Sequence, residues 1–98
     1  MPPMPSNPEN LRSADRNDAA AAALTALAWT LADDSRARRL LDLTGLTAEG
    51  LRAGTGDAEV LAAVLDFLAA HEPDLVACAK EAGFTPAELI RARDILQA

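Results

Sequence analysis

His71 is the only imidazole of the chain and Cys78 its only thiol, so any acid–base, nucleophilic or metal chemistry has to be built around them. Glu72 and Asp74 flank His71 closely enough to suggest a metal corner or an acid–base pair. Either role needs a second strong ligand or a nucleophile within reach, and the sequence offers none at a suitable spacing. His71 therefore reads as a helix-end residue, where the negative end of a helix dipole favours an imidazolium. Cys78 lies among alanines on a helix flank, the setting of a buried, inert thiol. A single cysteine also excludes an intrachain disulfide and any multi-cysteine metal site, and it fits a reducing cytoplasm. Gly54-Thr55-Gly56-Asp57 before a helix has the look of a phosphate cradle, but it lacks the lysine and Asp57 would repel the anion. Arg36, Arg38 and Arg39 form the one basic cluster, with Asp33, Asp34 and Asp42 beside them to pair with at helical spacing. The inventory assembles no nucleophile, base and orienting group. The expectation is a chain with no catalytic residue, no cofactor-binding residue and no metal ligand, and not an enzyme.

Composition sets the kind of scaffold that holds these residues. Half of the 98 residues are apolar, which is too many for a disordered chain, yet only Trp29, Phe67 and Phe84 are aromatic. Alanine and leucine dominate and β-branched residues are scarce, so helix is favoured throughout and no window reads as a strand. The length suits one core rather than two. A net charge of −6 makes nucleic acid and anionic membranes poor partners. The uncharged run from Ala19 to Ala32 is short for a membrane span, which needs about 20 apolar residues. Glu9, Asp15 and Asp18 stand where a secretory signal would carry positive charge, so the run is read as the first helix of the folded domain.

Four of the six prolines fall within residues 1–14, which predicts a disordered tail ahead of a single helical domain over residues 15–98. From Asp15 onward, Ala20, Leu24, Leu27 and Leu31 recur at spacings of four, three and four, and this stripe is expected to face the core. A second helix, capped by Asp34 or Ser35, should bury Leu40, Leu41 and Leu43 and stop at Gly45. Thr47 opens a short turn of helix and Asp57 a long apolar helix over about residues 58 to 71, expected to be central because its apolar positions exceed one stripe. Pro73 suits the first turn of a fifth helix, with Leu75, Val76, Ala79 and Ala82 inward. Thr85-Pro86-Ala87-Glu88 is a capping box opening the last helix, whose buried line is Leu89, Ala92 and Leu96. Gly45-Leu46-Thr47 and Gly83-Phe84-Thr85 share one corner pattern at identical offsets from Leu51 and Leu89. The fold expected is all-α, a compact orthogonal bundle of five or six short helices.

On this frame Trp29 lies almost opposite the leucine stripe, among the small residues Ala22, Thr25 and Ala26. One large ring on a shallow apolar surface has the form of a docking anchor, so Trp29, Ala22, Thr25 and Ala26 are the candidate protein-contact residues. The competing reading is that Trp29 fills a second layer of the core. A second candidate is the segment 76–97, which resembles a helix-turn-helix whose reading helix would offer Arg91 and Arg93 to DNA. Glu81, Glu88 and Asp94 oppose that role.

Between about Ala19 and Leu96 the chain resembles a known family of small, all-helical alphaproteobacterial proteins, a domain of unknown function. Ala26-Leu27-Ala28-Trp29, Leu43-Thr44-Gly45-Leu46, Leu51-Arg52, Val64-Leu65-Asp66-Phe67-Leu68 and Ala92-Arg93 carry the resemblance. It implies a compact helical domain in a bacterial cytoplasm and supplies no activity, substrate or partner. The reading that results is a protein-interaction or accessory domain, acting on a protein partner or as a homodimer, with helix-turn-helix DNA binding as the alternative and no membrane association.

Overall fold

In the computed structural model, which describes the backbone from Pro8 and side chains from Asp15, the chain forms six helices and no strand among the described residues. They are α1 (Pro8–Leu31), α2 (Asp34–Thr44), α3 (Ala48–Ala53), α4 (Ala58–Ala69), α5 (Glu72–Ala82) and α6 (Pro86–Gln97). The helix α1 begins at Pro8, inside the segment expected to be a tail, while residues 1–7 lie outside the described residues. Among those residues no helix is long and apolar enough to cross a membrane.

Local capping sets most helix starts. Thr47 and Thr85 accept hydrogen bonds from the backbone N–H groups of Gly50 and Glu88, and Asp57 accepts one from Glu59. Each bond satisfies a donor that the first helical turn leaves free. At α6 the Glu88 carboxylate returns a bond to the Thr85 N–H and completes the capping box. The cap of α2 is Asp33, which accepts from the Arg36 N–H, rather than Asp34 or Ser35. Asp33 has the extended backbone that a cap requires, and Asp34 is already inside the first turn.

The two corners with the shared pattern are alike in three dimensions. Gly45 and Gly83 hold φ of 74° and 82°, the left-handed region in which a Cβ is penalised, and each ends its helix by donating to a carbonyl of the last turn. Leu46 and Phe84 then fold back half-buried against the core.

The centre is α4, whose Leu61, Val64, Leu65, Phe67 and Leu68 are buried, with α1 and α6 packed most extensively against it and against each other. Leu40, Leu51, Leu75, Cys78, Ala79, Leu89 and Ala92 close the core from the remaining helices. Leu43 and Val76, expected inside, are 74% and 47% exposed. The helix α2 meets the core along Leu40, and Leu43 falls on the flank of that line.

The largest departure from expectation is the orientation of α1. Ala19, Ala22, Ala23, Ala26, Leu27 and Thr30 are the buried positions, whereas Leu24 and Leu31 are 40% and 43% exposed. The inward stripe is made of small residues. Because α6 and α4 both pack along α1, alanines on the shared side let the helix axes approach closely, and the resulting contact over several turns outweighs burying two leucines. Thr30 is fully buried and its hydroxyl donates to the Ala26 carbonyl at 2.9 Å, so no polar atom is stranded there.

Candidate functional site

The rotation of α1 changes what surrounds Trp29. The ring is half-buried at the edge of the inward face and packs against the core, with α5 on one side and α2 on the other. Its indole N–H donates to the Glu81 carboxylate on α5. The Arg36 guanidinium lies 3.6 Å above the ring centroid, and its Nη2 donates to the Trp29 carbonyl at 2.8 Å. A cation on the electron-rich ring face and an acceptor at the ring edge satisfy both polar characters of the indole at once. Trp29 is therefore a clamp joining α1, α2 and α5.

A second polar link continues the clamp along α5. The Arg39 Nη2 donates to Asp74 Oδ2 at 2.8 Å, and His71 Nε2 lies 4.0 Å from the same oxygen. Beneath these charges Cys78 is fully buried. Burial pushes its thiol up to about 11, with Glu81 and Asp74 adding to the shift and the Arg36 charge opposing it. A sealed thiol with so high a pKa is a poor nucleophile. His71 caps α5 with its backbone alone, its side chain half exposed. Among the described residues no three His, Cys, Asp or Glu side chains gather to hold a metal ion.

The four candidate contact residues are separated by the fold. Ala22 and Ala26 are 6% and 0% exposed, inside the core, so neither can meet a partner. Thr25 is exposed and its hydroxyl donates to the Ala21 carbonyl. Trp29 has the second-layer role rather than that of an isolated anchor. What sequence reasoning missed is the opposite side: Ala21, Leu24, Thr25, Ala28 and Leu31 form the outward surface of α1, with no charged residue between Asp18 and Asp33. The charge-free run is plain in the sequence, but the spacing of Leu24 and Leu31 within it fits a core stripe equally well.

The corner between α5 and α6 has the expected form, yet it does not present a basic helix. Arg93 pairs with Asp66 on α4 at 3.3 Å and with the adjacent Asp94 at 3.1 Å. Arg91 is exposed and lines a cleft of about 260 Å³ between α1 and α6, whose other polar lining is Asp15, Asp18 and Glu88. Three carboxylates around one guanidinium leave this end of α6 acidic, the reverse of a phosphate-binding surface.

No curated protein and no solved structure matches the chain. The sequence pattern of one family, described as "Protein of unknown function (DUF3572)", matches residues 16–98, and the chain belongs to that family.

Proposed function

Membership of a family without an assigned activity leaves the function to be read from this chain's own surface, and we propose that it is a non-enzymatic accessory domain of the bacterial cytoplasm, working by protein contact through the outward ridge of α1. The observation that carries the reading is that α1 has no charged residue on any side from Ala19 to its end at Leu31, with Leu24 and Leu31 open to solvent on the face opposite the core. A helix that only needed solvation there would carry Lys, Glu or Arg on that face, and a helix without charge on any side is the kind that packing covers on more than one face. The absence of charge along about four turns also gives a partner nothing to desolvate.

The chemistry-bearing residues support the same reading. Cys78 is sealed, His71 has Asp74 at 4.0 Å and no nucleophile beside it among the described residues, and Arg36 and Arg39 of α2 are held by Trp29 and Asp74. For DNA reading, Arg91 of α6 stands in acidic surroundings and Arg93 is paired with Asp66 and Asp94.

The test is affinity capture from native lysate with the tagged chain and its L24D/L31D variant. The wild type is expected to retain specific proteins that the double variant loses, while both give the same helical circular dichroism. An identical set of captured proteins from both would remove the ridge as the contact surface.

A further inference from the structure

The helices differ in what holds them. Helices α1, α4 and α6 pack extensively on one another, whereas α2 buries Leu40 alone and makes little close backbone contact with α5. The space between α2 and α5 is bridged by side chains. Asp74, Cys78 and Glu81 follow one another at spacings of four and three, so they share one face of α5. Both carboxylates are engaged from across the seam, Asp74 by Arg39 at 2.8 Å and Glu81 by the Trp29 indole on which Arg36 lies. Between them Cys78 is fully buried, close enough to Arg36 for that charge to act on the thiol.

The closed seam is imperfectly satisfied. The Nε atoms of Arg36 and Arg39 are both buried and meet no hydrogen-bond acceptor among the described residues. A buried donor without an acceptor has lost its hydration for no return, and opening reverses that loss. The Arg39 side chain is 43% exposed, so solvent and salt weaken its bond to Asp74. Short non-helical joints bound α2 on both sides, at Ala32–Asp33 and at the left-handed Gly45, so the helix can move as a unit.

We propose that α2 is a strap that lifts from α5 while α1, α4 and α6 stay packed, uncovering Cys78, and that ionic strength sets how often it is open. The proposal is independent of the contact ridge on α1. Salt gives the opening its signature. The chain carries −6, so added salt relieves repulsion within the folded state and opposes global unfolding, whereas it screens the arginine links and favours the lifted strap. Strap opening and global unfolding therefore answer salt in opposite directions.

Labelling of the Cys78 thiol in the full chain, at about pH 8 and across urea concentrations, tests this. Labelling should be slow beside that of an exposed thiol, yet about tenfold or more faster than global unfolding alone allows. Its dependence on urea should be shallow and join the steep global slope only near the unfolding midpoint. Raising NaCl from about 50 mM to about 1 M should speed labelling severalfold at low urea, while the urea midpoint holds or rises. R39Q should speed labelling about fivefold, and R38Q, the same change on the exposed side of the same helix, should leave it unchanged. Amide exchange of the wild type shows which helix moves, with no variant needed. The amides of Arg39 to Leu43 should exchange through an opening as frequent as the one that labels the thiol, and those of α4 only through global unfolding. Labelling that follows the global slope from zero urea, slower labelling in high salt, equal effects of R39Q and R38Q, or exchange in α5 while α2 stays protected each overturns the proposal.

Discussion

The two faces of α1 are made of nearly the same material and serve opposite ends. Inward are four alanines, one leucine and a threonine, all below 7% exposed; outward are the larger leucines Leu24 and Leu31 with Ala21, Thr25 and Ala28 between them. The difference teaches that in a helix this rich in alanine the buried side is chosen by how closely its neighbours can approach, not by which side carries the greater apolar volume. Small residues face α6 and α4 because two helices press there, and Leu24 and Leu31 are left on the side that the described residues leave 40% and 43% exposed.

One substitution made on both faces would break that comparison most sharply. Ala26→Leu forces a larger side chain into a position with no exposed surface and should destabilise by about 3 kcal/mol in urea unfolding, the upper part of the usual range for overpacking. Ala28→Leu, two residues on and turned outward, should leave monomer stability within about 0.5 kcal/mol. Equal effects would mean that the faces are not distinct.

At the border between the faces, Trp29→Phe keeps a ring for Arg36 to lie on and deletes the N–H that Glu81 accepts. A loss of about 1 kcal/mol is expected, the size of one hydrogen bond. Cys78 sharpens the comparison by pH. Its folded pKa of about 11 lies above the free-thiol value, so the thiol contributes stability that is complete below the free-thiol range and is lost as pH rises toward 11. The urea midpoint of the wild type should fall more between pH 8 and pH 10.5 than that of C78A, and the native thiol should resist alkylation at pH 8. The smallest effect belongs to the outer ridge, where Leu24→Gln should change unfolding stability by less than about 0.5 kcal/mol while reducing the proteins captured from lysate.

What could be foreseen divides along the range of the interaction. The caps at Thr47, Asp57 and Thr85, the left-handed glycines and the central position of α4 were legible because each is written within a few residues of sequence. The face of α1 was not. Ala20, Leu24, Leu27, Leu31 and Ala19, Ala22, Ala26, Leu27, Thr30 are both acceptable helical stripes, and only the helices arriving from residues 58 onward choose between them. The same ambiguity reaches the candidate site: a stripe through Leu24 and Leu31 puts Ala22 and Ala26 on the surface, whereas both are buried. Trp29 stands out in the sequence as the one tryptophan, but its partners Arg36 and Glu81 lie 7 and 52 positions away, and nothing local announces the second of these.

The clamp around Trp29 has an optical consequence. The chain has no tyrosine and one tryptophan, so its near-ultraviolet absorption and its emission come almost wholly from a single indole wedged between a guanidinium and a carboxylate. A change in emission therefore reports the seam of α1, α2 and α5 and nothing else. Loosening of that seam and global unfolding can be told apart by comparing the indole signal with the amide signal on the same sample.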